Sequence, residues 1–242
     1  MKGPLQVVLF DLGNTLLHDD PAAWPRVYRR AEAALWNALE LAGVRSTPAE
    51  LYGSHDSLLN YYYDLREPAL EEPGMARVLE GLLTEHHIVV SQLSLRSALN
   101  AMYSQTQGNW FLEADAAPTL AVLRAKGLRL GTVSNGADDL NAHQLLEKAG
   151  LRDYFDLVLS SAAFGWRKPH RGIFQAALDH FGASAERVAM VGDSYEADVL
   201  GANALGLKTV WITRRVRQRP TRMPVRPDFV VEALSEVPAL IT

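Results

Sequence analysis

The 242-residue chain contains no cysteine. That single absence excludes disulfides, thiolate zinc sites, iron–sulfur clusters and thiol nucleophiles together. Long apolar runs are missing too, and no stretch approaches the roughly 18 residues that cross a bilayer. Near the first residue there is no basic segment followed by an apolar run of roughly 7–15 residues, because Leu5 to Phe10 is cut off by Asp11. A secretory leader is therefore not expected, and a cytoplasmic location is. Charge of one sign is scarce: 24 basic residues face 28 acidic ones, a net of −4, which argues against a generally basic nucleic-acid binder. The seven histidines supply no pair at metal-ligand helical spacing, and no GxSxG elbow offers a serine nucleophile. No internal repeat is visible.

What is present falls into two textures. From Leu128 onward, short β-rich runs alternate with helix-period segments: LRLGTVS (128–134), DLVLSS (156–161), VAMVG (188–192), KTVWIT (208–213) and DFVV (228–231). Helical patterns fill 138–149, 169–181 and 195–205, closed by Gly150, Gly182 and Gly206 where a left-handed terminus favours glycine. Pro169 is read as a first-turn proline. Strands alternating with helices imply βαβ crossovers and a parallel sheet covered on both faces. One further strand, QVVLFD (6–11), stands far from the rest. From about His18 to Phe111 the pattern is helical, with no convincing strand. The economical explanation is an insertion, with residues 1–17 and 112–242 forming an α/β core of Rossmann-like type and 18–111 an all-helical subdomain.

In an open α/β sheet, ligands bind beyond the carboxyl ends of the strands. The first strand ends in Asp11 and runs into Gly13; 128–134 ends in Ser134-Asn135-Gly136; 188–192 ends in Gly192-Asp193, with Asp198 five residues on. Arg167-Lys168 precedes the helix after Pro169. Each group alone has a bland reading, as a helix cap or turn former. Their convergence on one rim describes a device: paired carboxylates that suit a hard cation such as Mg²⁺, with loop N–H groups, a hydroxyl and an ammonium for phosphoryl oxygens. A carboxylate so placed can act as nucleophile.

VVLFDLGNTL, TVSNG, the lysine of RKPH and VGDSYEAD, in that order, resemble the four motifs of the haloacid dehalogenase superfamily of phosphohydrolases. The resemblance runs the length of the chain, from the helical cap inserted after the first motif to the closing PDFVVEALSEV. It implies Asp11 as nucleophile, with Ser134, Asn135, Gly13 and Lys168 at the phosphoryl group. It implies Mg²⁺ on Asp11, Asp193 and the Gly13 carbonyl, supported by Asp198. The expected partner is a small phosphorylated substrate, with neither nucleic acid nor membrane.

Position 13 departs from that family's pattern, which places an aspartate there as general acid and base. Three readings follow: another group substitutes, with His18 and Asp19 as candidates; the substrate's leaving group needs little protonation; or the protein mainly binds a phospho-ligand or partner. A metal-free 2-haloacid dehalogenase is the remaining alternative, disfavoured by the complete Gly192-Asp193 pair. Elsewhere, residues 201–209 mimic a phosphate loop but carry Leu207 as an insertion and follow no strand. Tyr61 to Tyr63 read as core of the helical part, Trp110-Phe111 as hinge packing, and Trp166 as an entrance residue. Residues 214–226, from Arg214 to Arg226, hold six arginines and read as a solvated loop, with an acidic or phosphate-rich ligand as the alternative.

Overall fold

The computed structural model describes residues 4–55, 57–66 and 70–241. Its strands are β1 (Val7–Phe10), β2 (Leu17–Asp19), β3 (Trp110–Leu112), β4 (Arg129–Ser134), β5 (Leu157–Ser160), β6 (Val188–Gly192), β7 (Lys208–Ile212) and β8 (Phe229–Val231). Six of them make one parallel sheet in the order β5-β4-β1-β6-β7-β8. The middle strands read as unbroken apolar sequence because both sheet faces are covered. Every residue of β1 and β6 is buried, whereas the outermost strands β5 and β8 are partly exposed.

The strand order reverses at β1. From β1 the sheet continues to β4 and β5 on one side, then resumes with β6 on the other side of β1 and runs to β7 and β8. Loops leaving β1 and β6 therefore diverge, which opens a crevice at their carboxyl ends.

All six expected core strands are present; β6 spans the residues expected and the other five are shorter by a residue or two. β2 and β3 are additions, since the stretch from His18 to Phe111 reads as helical throughout. They pair with each other in a separate two-stranded sheet, and three residues are too few for alternation to register in sequence.

The chain divides into two compact units, Met1–His18 with Phe111–Thr242, and Asp19–Trp110. The second carries α1 (Trp24–Leu41), α2 (Pro48–Tyr52), α3 (Leu58–Arg66), α4 (Met75–Glu85) and α5 (Gln92–Thr106). In α1, Ala31, Leu35, Trp36 and Leu39 recur at helical spacing and are all buried, and the helix packs along α5. Of the three consecutive tyrosines, Tyr62 is fully buried while Tyr63 is exposed.

The sheet unit carries α6 (Ala116–Ala125), α7 (Asp139–Lys148), α8 (Ser161–Phe164), α9 (Arg171–Phe181), α10 (Gly201–Asn203) and α11 (Val237–Leu240). One face of α9 buries Ile173, Phe174, Ala177, Leu178 and Phe181 in a cluster with Val7, Leu9, Val133 and Met190 of the sheet. Each of the large side chains contributes about 1.5–3 kcal/mol by leaving water. The helix ends at Gly182, whose left-handed backbone (φ 57°) a side chain would strain. Pro169 is not in its first turn: α9 begins at Arg171, with His170 as N-cap accepting from the Gly172 N–H at 3.2 Å. The stretch expected as one helix over 195–205 begins instead as a π-helix, Tyr195–Leu200, before α10.

Candidate active site

Two carboxylates are brought to the crevice by the strands on either side of the reversal: Asp11 follows β1 directly and Asp193 follows β6. Asp11 is tied to the neighbouring strand through its N–H, which donates to the Val191 carbonyl at 2.9 Å. Asp198 arrives from the π-helix, folded back so that its Oδ2 accepts from the Ser194 N–H at 3.0 Å. Gly192 makes this approach possible, because a Cβ there would stand 2.2 Å from Asp198 Oδ2. One carboxylate oxygen from each of Asp11, Asp193 and Asp198 lies within 4.8 Å of the others.

Lys168 threads into this acidic group from the loop before α9. Its Nζ donates to Asp11 Oδ1 at 2.8 Å and to Asp198 Oδ1 at 2.6 Å, in an almost water-free setting. Burial alone would favour the neutral amine, but the two carboxylates outweigh it and hold Lys168 above its ordinary pKa. One ammonium does not balance three acids. Burial, then Asp11 and Asp198, push Asp193 up to about 8. Burial raises Asp198 to about 6 despite the lysine beside it. An all-oxygen donor set short of positive charge fits a hard divalent cation.

The lysine is aimed by Asn135. The Asn135 side-chain amide donates to the Lys168 carbonyl at 3.0 Å and accepts from the Lys168 N–H at 2.7 Å. Gly136 is held in turn by Ser161, whose hydroxyl accepts from the Gly136 N–H at 3.0 Å. Ser134, buried at the last position of β4, completes the rim. After Asp11 the backbone turns tightly: Leu16 and Leu17 both donate to the Leu12 carbonyl at 2.9 Å, Gly13 bridges to Leu17, and Asn14 adopts φ 55°.

Of the two candidates for the missing acid, Asp19 is held by a hydrogen bond, whereas His18 Nδ1 forms none among the described residues. His18 brings Nδ1 within 3.3 Å of Glu113 and lies against the Phe111 ring, and Asp19 accepts from the Trp24 indole. Trp166 stacks on His170 with ring centroids 4.5 Å apart. The arginine-rich stretch is only partly a solvated loop. Arg214 bonds Glu113 at 2.7 Å and Asp115 at 3.0 Å, and Arg215 bonds Glu113 at 2.7 Å. Partners about 100 positions apart carry no local signal, so nothing in the sequence announces this network.

Comparisons with known proteins agree with the fold. A family model described as haloacid dehalogenase-like hydrolase matches residues 5–206. A phosphoserine phosphatase from Thermus thermophilus is 32% identical, aligned over 96% of this chain and 98% of its own. Among solved structures, a 2-haloacid dehalogenase from Pseudomonas syringae pv. Tomato superposes with a TM-score of 0.69 at 24% identity, over 98% of this chain and 97% of that one. A HAD phosphatase from Thermococcus onnurineus superposes with a TM-score of 0.60 at 25% identity and the same coverages.

Proposed function

The chain belongs to the haloacid dehalogenase-like hydrolases, and from that premise we propose that it is a Mg²⁺-dependent phosphatase of a small phosphorylated metabolite, with Asp11 as nucleophile. That it hydrolyses phosphate esters follows from its full-length phosphatase relative. The observation that carries the finer reading is the buried lysine bridging Asp11 and Asp198 beside a third carboxylate at the sheet's reversal point.

Lys168 spans Asp11 Oδ1 and Asp198 Oδ1, which fixes the Asp11 rotamer. An Asp11 oxygen attacks phosphorus in line; the new O–P bond forms as the bond to the leaving oxygen breaks. Position 13 is glycine, so the departing alkoxide takes its proton from water. Water then attacks phosphorus of the aspartyl-phosphate, releasing phosphate and restoring Asp11. Ser134 and the N–H groups of the loop after Asp11 are the donors for the equatorial oxygens, where charge stabilisation does most of the catalysis. Mg²⁺, held by Asp11, Asp193 and the Gly13 carbonyl with Asp198 in support, would supply further positive charge to those oxygens.

Hydrolysis of p-nitrophenyl phosphate with Mg²⁺ against EDTA tests this, since its phenolate leaves with little proton donation. Metal-dependent turnover should fall at least ~10³-fold in Asp11→Asn. Full turnover in that variant would overturn the mechanism. Absence of turnover in the wild type would favour the binding reading that Gly13 motivates, and halide release from a 2-haloacid in EDTA would favour the dehalogenase.

A further inference from the structure

The loop between β7 and β8 is clamped at both ends, and the arginines between the clamps are not used by the site described above. At its start, Arg214 and Arg215 are bound by Glu113 and Asp115. Near its end, the buried Tyr195 hydroxyl accepts from the Val225 N–H at 3.0 Å and donates to the Val225 carbonyl at 2.6 Å. The chain between is thereby held as the wall of a cavity of about 460 Å³, whose lining includes Asp193, Ser194, Trp211, Arg217 and Arg219. That volume lies within the range of small-molecule sites.

Arg217 and Arg219 are both exposed at this cavity, and neither forms an ion pair among the described residues. Arg219 is pre-oriented, with its guanidinium 5.5 Å from the centroid of the buried Trp211 ring. The Trp211 indole is fixed in its turn by donating to the Asp193 carbonyl at 2.7 Å. Two guanidinium forks on a clamped loop match a tetrahedral oxyanion better than a lone carboxylate. Asp193 belongs to both this cavity and the acidic cluster, so a ligand here lies alongside the catalytic centre. Glu196, also in the lining, is an acceptor suited to a ligand's hydroxyl groups.

We propose that this cavity binds a phosphate group other than the one attacked by Asp11, carried either by a substrate with two phosphates or by a separate phosphate-bearing ligand. The first source rests on the phosphatase reading, whereas the second does not.

The test uses the full chain and its Arg217→Gln/Arg219→Gln double variant, both positions being exposed and outside the catalytic machinery. Calorimetric titration with inorganic pyrophosphate in EDTA should show one site in the wild type and at least ~10-fold weaker binding in the variant. Equal affinity in the two proteins, or no binding by the wild type, overturns the proposal. With Mg²⁺ present, kinetics on fructose 1,6-bisphosphate and p-nitrophenyl phosphate then identify the source. A ~10-fold higher KM for the bisphosphate alone in the variant assigns the site to the substrate. Unchanged KM values beside weakened pyrophosphate binding assign it to a separate ligand. Failure of both substrates to turn over would reject the phosphatase reading and leave the calorimetric result to stand by itself.

Discussion

A single carboxamide holds Lys168 where it can bridge two carboxylates. The Asn135 side chain pairs with both backbone groups of that lysine, so truncating it lets the ammonium wander from Asp11. In Asn135→Ala, kcat on p-nitrophenyl phosphate should drop by roughly 10–100-fold with little change in KM, because misplacement of a catalytic group is felt mainly in the reacting state. A variant with wild-type kcat would show that the amide pairing is incidental. Gly192 is equally constrained, for a different reason. The methyl group of Gly192→Ala would have to displace the Asp198 carboxylate. That variant should lose most activity along with about 1–3 kcal/mol of stability, measured by denaturant unfolding. Unaltered activity would mean that Asp198 has room the geometry does not show.

The elements of the sheet were legible because their chemistry is local. VVLF and VAMVG are apolar runs and RLGTVS is a β-rich one, all bounded by turn residues, and such runs become interior parallel strands. Asp11 and Asp193 were legible for the same reason, since each directly follows a strand, and Asp198 through its short spacing from Asp193. What stayed hidden depends on distance along the chain. Nothing near Glu113 announces Arg214, nothing near Asn135 announces that its amide serves Lys168, and the ends of β2 and β3 find each other across the inserted helices. The junction of β7 and β8 shows how such a link reports on pH. Burial would raise the Asp228 pKa, but Lys208 at 2.7 Å and the Thr209 N–H at 2.9 Å outweigh it and hold it below its ordinary value. A depressed carboxyl stabilises the fold above its unfolded-state pKa and loses that contribution as pH falls through the folded one. Asp228→Asn should therefore lower stability by about 1 kcal/mol at pH 7, and the deficit should shrink toward pH 3. An equal deficit at both values in thermal melts would argue that shape, not charge, matters there.

At the scale of the molecule, a cation that binds only the folded site acts on the whole unfolding equilibrium. At 100 times its Kd, Mg²⁺ should add about 2.7 kcal/mol and raise the midpoint by roughly 5–10 °C, and Asp193→Asn should abolish the shift. The same rise in that variant would place the cation elsewhere. The strand order carries one further consequence, for the birth of the fold. β1 lies at the centre of the sheet, yet its partners come very late: Val7 pairs with Arg129 on one side and Val188 on the other. As the chain leaves the ribosome, the most apolar strand emerges first and must wait while the entire helical unit is made before either neighbour exists. Contacts so distant in sequence fold slowly, and an unpaired apolar strand is a template for intermolecular pairing during that wait.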